Sequence, residues 1–124
     1  MEEILYKIAE ITGFVNVALF FMLASTYLIL KFMSPKNPMK KYIFKVHPFI
    51  GILFLIVVAT HGYLMLRGFQ WHTGSVLGII IFLSVGALAV LKKMKFKKAL
   101  LFHYMSIIII FFAMMIHLLW PALI

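Results

Sequence analysis

The sequence predicts an all-α membrane protein, an up-down bundle of four transmembrane helices forming one domain over residues 1–124. Three observations carry that prediction. Hydrophobic residues make up 65% of the chain and charged residues 12%, with a mean hydropathy of +1.12, far from the balance of soluble domains. A helix needs about 20 apolar residues to cross a hydrocarbon core, and such stretches fit four times, near 8–33, 46–67, 73–92 and 99–120. The residues left between them suffice only for short connections.

The first segment opens on "MEEILYKIAEITGFV", which begins with acids rather than a basic region and leads into a span too long for a cleaved signal. A retained helix is expected, with the mature chain starting near Met1. It ends before "SPKNP", where Pro35 and Pro38 break the helix. Segment two is expected to start at His47-Pro48, with the proline in the first turn, where its missing N–H does no harm. It leaves through "RGFQWHTG", whose Gly68, Trp71 and Gly74 mark a loop with an interfacial aromatic. Segment three carries Gly74, Gly78 and Gly86, which would let helices approach closely. Segment four stops at Trp120-Pro121. Antiparallel spans with short connections give the bundle.

The net charge of +9 is distributed by topology. Lys31, Lys36, Lys40, Lys41 and Lys45 flank the first connection and Lys92, Lys93, Lys95, Lys97 and Lys98 the third, leaving only Lys7 and Arg67 of the twelve basic residues elsewhere. The positive-inside rule then makes those two connections cytoplasmic and puts both termini outside, as expected of a prokaryotic cytoplasmic-membrane protein. Attraction to anionic lipid accounts for the lysine runs without a nucleic-acid partner. Cysteine is absent, which excludes disulfides, thiolate metal sites, iron–sulfur ligation and covalent haem. Neither G-x-G-x-x-G nor G-x-x-x-x-G-K-[ST] occurs, so no nucleotide domain is encoded.

Four of the five histidines form a ladder: "HPFIGILFLIVVATH" spans His47 to His61, and "HYMSIIIIFFAMMIH" spans His103 to His117. Fourteen residues return to nearly the same helix face and climb about 21 Å, so each pair points one way from two depths of a core about 30 Å thick. Segments two and four run in the same direction and lie diagonally in an up-down bundle, so His47 and His103 should share an inner level and His61 and His117 an outer one. Zinc would need more donors than two imidazoles, and no acid lies at either depth. A proton relay would need carboxylates in the spans, yet Glu2, Glu3 and Glu10 all sit near one end. Haem iron brings four nitrogens of its own and asks only for two axial ligands, so each level suits one non-covalent haem b.

Small residues on or beside this stripe, Gly51, Gly62, Ser106 and Ala113, would make room for a flat ring, although small residues also serve plain helix packing. Lys40, Lys41, Lys45 or Lys98 could neutralise inner propionates and Arg67 outer ones. His72, next to Trp71, is expected at the interface, and Asn16 in an interhelical hydrogen bond.

"FHYMSIIIIFFAMMIHLL" is similar to the fourth helix of cytochrome b of the quinol-oxidising bc complexes, and "HPFIGILFLIVVATHGYLMLRG" resembles that subunit's second helix, including the Arg-Gly after the second histidine. Ferric reductases and NADPH oxidases use a similar scheme. The resemblance covers about residues 46–120 and implies axial ligation by His47, His61, His103 and His117. Two parts of those families have no counterpart here: the quinol-site segments beyond the fourth helix and the flavin and nicotinamide domain.

The expectation is a dihaem b-type cytochrome carrying electrons across the membrane, alone, as a homo-oligomer or within a larger complex. Its donor and acceptor stay open among a quinol, a small redox molecule and a redox protein. Two other functions remain at this stage: a one-sided quinone or superoxide oxidoreductase using a pocket near Asn16, Arg67 and His72, and a non-redox helical scaffold or small transporter.

Overall fold

The computed structural model describes residues 2–66 and 72–120. Every regular element among them is helical: α1 (Glu2–Phe32), α2 (Met39–Leu66), α3 (Thr73–Lys93) and α4 (Ala99–Leu119). All four are long and apolar enough to cross a membrane, and the chain is an integral membrane protein. Large apolar side chains such as Phe14, Phe32, Phe49, Leu83 and Phe112 lie exposed on the helices, as surfaces solvated by lipid rather than water require. Arg67, Gly68, Trp71 and Pro121, which figured in the expectations above, lie outside the described residues.

Two compact units divide the chain, Met1–Met65 and Leu66–Ile124. In the first, α1 and α2 form an antiparallel hairpin whose contacts include Phe20 against Phe54, two buried rings 6.4 Å apart. α1 begins about six residues before the expected span. Its first turns are helix-favouring, and the exposed Glu3–Lys7 pair, 3.0 Å apart and four residues apart on one face, adds modest support.

α2 corrects the expectation more sharply. It starts at Met39, so Pro48 stands inside the helix rather than in its first turn. The start signal is Asn37-Pro38. Asn37 Oδ1 accepts a hydrogen bond from the Met39 N–H at 2.9 Å, and the Asn37 carbonyl accepts from the Lys40 N–H at 3.1 Å. Asparagine satisfies an orphan donor there, and Pro38 fills the first helical position, where it has no donor to lose. Pro48 removes one intrahelical donor, that for the Phe44 carbonyl, and the two preceding turns carry the helix past it.

The second unit is the hairpin of α3 and α4. His72 occupies the N-cap position of α3 in extended conformation, with its carbonyl accepting from the Val76 N–H at 3.1 Å. The buried face of α4 runs through Ser106, Ile110 and Met114, the stripe that also holds His103 and His117. α3 contributes Thr73, Ser75 and Ile81 to its buried set.

Candidate functional site: histidines braced by threonine and glycine

Each hairpin carries one histidine near its connecting turn, His47 or His103, and one near its open end, His61 or His117. All four are half-buried. The spacing of fourteen lies wholly inside α2 and inside α4, so the two imidazoles of each helix stand about 21 Å apart along its axis.

The neighbouring helix of the same hairpin supplies what the ring nitrogens touch. His61 Nδ1 is 2.8 Å from the Ala9 carbonyl oxygen and 3.3 Å from Thr12 Oγ1. His47 Nδ1 is 3.3 Å from Thr26 Oγ1. In the second unit His117 Nδ1 is 3.1 Å from Thr73 Oγ1. The Thr12–His61 and Thr26–His47 pairs belong to one unslipped antiparallel register. Two threonines fourteen apart on α1 stand level with two histidines fourteen apart on α2.

One of those contacts fixes the position of a proton. A carbonyl only accepts, so the nitrogen of His61 facing Ala9 must carry hydrogen. Each threonine hydroxyl also has a backbone carbonyl within reach: Thr12 donates to Ala9 at 2.8 Å, Thr26 to Met22 at 3.2 Å and Thr73 to Trp120 at 3.2 Å. With its one proton so engaged, each hydroxyl has a lone pair to offer to an Nδ1–H of the histidine beside it. A neutral imidazole protonated at Nδ1 carries its in-plane lone pair at Nε2. That is the form in which histidine binds a metal while its other nitrogen donates to a supporting group.

Two glycines complete the bracing. A Cβ on Gly13 would lie 3.0 Å from His61 Cε1, tighter than nearly all real Cβ contacts, and one on Gly74 would lie 2.9 Å from His117 Cε1, closer than real Cβ atoms sit to such neighbours. Thr12-Gly13 and Thr73-Gly74 are thus one device used twice: the threonine meets Nδ1 and the glycine lets the backbone run against the ring edge. Gly74 makes the close approach expected of α3, whereas Gly78 and Gly86 have nothing within 4 Å of a Cβ.

The remaining candidates are less crowded. A Cβ on Gly51 or Gly62 would meet nothing within 4 Å, so neither glycine relieves a clash. Ser106 is buried and returns its hydroxyl to the Phe102 carbonyl at 2.9 Å, which silences its polarity. Ala113 is half-buried, one turn before His117 on α4. Asn16 was expected in an interhelical hydrogen bond, yet its Oδ1 is buried with no partner among the described residues. Of the pocket expected near Asn16, Arg67 and His72, Asn16 belongs to the first unit and His72 to the second, and Arg67 lies outside the described residues.

The braces Ala9, Thr12, Gly13, Thr26 and Thr73 were missed from sequence. A signal existed in the repeated Thr-Gly and in the fourteen-residue spacing of Thr12 and Thr26, the same interval as the histidines. Among the described residues no three His, Cys, Asp or Glu side chains converge. No protein-family model, curated protein or solved structure matches the chain.

Proposed function

We propose that this protein is a dihaem b-type cytochrome that carries electrons across the membrane. The observation that supports it most directly is the paired histidine ladder, in which Nδ1 of His61 meets a carbonyl and Nδ1 of His47 and of His117 a threonine hydroxyl, contacts that suit a ligating lone pair at Nε2. His47 and His103 hold an inner non-covalent haem b, and His61 and His117 an outer one. Haem when bound supplies a one-electron iron couple whose potential responds to ligand orientation, burial and nearby charge.

The chain's own residues do the rest. Gly51 and Gly62 border open space, Ala113 is small, and Ser106 adds a small, internally satisfied surface. Apolar side chains along α2 and α4 exclude water. The lysines flanking both hairpin turns set a cytoplasmic side, with the termini outside, and they and Arg67 are the counter-charges available to propionates. Electrons enter from a quinol, a small reductant or a separate redox protein, because no nucleotide-binding motif is present.

The test is a reduced-minus-oxidised spectrum of the purified protein with haem extraction, haem counting and electron paramagnetic resonance. Two low-spin, bis-histidine, extractable haems per chain are expected. One haem per chain, a thioether-linked product or a colourless protein would overturn the proposal.

A further inference from the structure

The Nδ1 contacts of the three braced histidines differ in kind. His61 faces both a carbonyl at 2.8 Å and the Thr12 hydroxyl at 3.3 Å, whereas His47 meets the Thr26 hydroxyl at 3.3 Å and His117 the Thr73 hydroxyl at 3.1 Å. Each hydroxyl is itself anchored to a backbone carbonyl, so it stands as a fixed acceptor rather than a free rotor. An acceptor on Nδ1–H draws the proton outward and makes Nε2 the more basic donor, which favours the ferric over the ferrous iron.

We propose that Thr26 and Thr73, and to a smaller degree Thr12, are positioning residues. Acting through their histidines, they fix the ligating tautomer and tune the iron potential one level at a time. This rests on the haem proposal above. Thr26 acts on the inner level through His47, and Thr73 on the outer level through His117. Thr12 adds little, because the Ala9 carbonyl already accepts from the same Nδ1–H at a shorter distance.

The experiment compares Thr26→Val, Thr73→Val and Thr12→Val with the matching serine variants in the full-length, haem-loaded protein. Valine keeps the shape and removes the acceptor, and serine restores it. Redox titration and electron paramagnetic resonance are read component by component, the inner component being the one lost in His47→Ala. Thr26→Val should raise the inner potential alone and Thr73→Val the outer potential alone. A tenfold loss of ferric preference corresponds to about 59 mV for a one-electron couple. Thr12→Val should shift least, and each serine variant should return to the parent value. Loss of one level's haem in a valine variant, with retention in its serine partner, is the same effect expressed as affinity, for which supporting partners contribute roughly 10–100-fold.

A parent that holds two haems whose potentials and resonances are unmoved by all three valine variants would overturn this inference. So would serine variants that shift as far as the valines, since the hydroxyl would then not be the cause. A parent that holds no haem would instead overturn the proposed function.

Discussion

A methyl group on Gly74 would stand 2.9 Å from Cε1 of His117, and one on Gly13 would stand 3.0 Å from Cε1 of His61. Both rings are tethered at Nδ1, so neither can swing aside without breaking its contact with Thr73 or with Ala9 and Thr12. Gly13→Ala and Gly74→Ala should therefore disturb the open-end histidines. Under the proposed function, the expected outcome is loss of one haem component, or a changed resonance for it, with the other unmoved. Gly51→Ala and Gly62→Ala make the contrasting pair. Nothing lies within 4 Å of either added carbon, and alanine favours a helix over glycine by up to about 1 kcal/mol, so thermal stability should hold or rise. A fall in haem content in those variants would then report a cofactor beside them; unchanged content would remove both glycines from the site.

At the scale of the element, the turns are where local chemistry can be measured. α3 ends in a Schellman motif: the Phe96 N–H donates to the Leu91 carbonyl at 3.0 Å and the Lys95 N–H to the Lys92 carbonyl at 3.1 Å. The residue that must turn left-handed is Lys95, at φ 54°, a conformation that costs a side chain about 1–2 kcal/mol and glycine almost nothing. Lys95→Gly should accordingly stabilise the hairpin by about 1 kcal/mol, read as a higher melting temperature in detergent. At the start of α2, Asn37→Ala removes the acceptor for the Met39 N–H and should cost about 1 kcal/mol. The same segment shows why the helix start was misplaced from sequence. Two prolines ten residues apart both fit a first turn by local rules, but only Pro38 follows a residue able to cap. At 31 and 28 residues, α1 and α2 are also longer than the 21 residues of α3 and of α4, so their ends reach beyond a core about 30 Å thick.

At the scale of the whole molecule, the proposal makes two demands that a single hairpin cannot meet. Ligand loss should follow levels rather than helices: His47→Ala and His103→Ala should erase the same spectral component, and His61→Ala and His117→Ala the other. His72→Ala should keep both, since that residue starts α3 and stands off the ladder. If His47→Ala and His61→Ala erased one shared component, the pairing across hairpins would be wrong. The second demand is transfer across the bilayer. In oriented proteoliposomes, an impermeant reductant on one side should reduce an impermeant acceptor on the other. His61→Ala should abolish that transfer while the remaining haem is still reduced from its own side. Undiminished transfer in that variant would favour a one-sided oxidoreductase.

Four helical crossings and the fourteen-residue histidine interval could be read directly from the chain, because hydropathy and helical periodicity depend on neighbours along the sequence. The lack of cysteine, and with it of thioether-linked haem, was legible on the same footing. Only tertiary structure decided what stands against the imidazoles. The partners of His61 lie 49 and 52 residues away and that of His117 lies 44 away, so they depend on the register of two packed helices, which no local pattern specifies. Thr12 and Thr26 look like ordinary back-bonding threonines of membrane helices, and Thr73 like a helix-start residue, until the packing sets each beside a histidine. Gly13 and Gly74 gain meaning the same way, since a missing Cβ matters only where another side chain occupies its place.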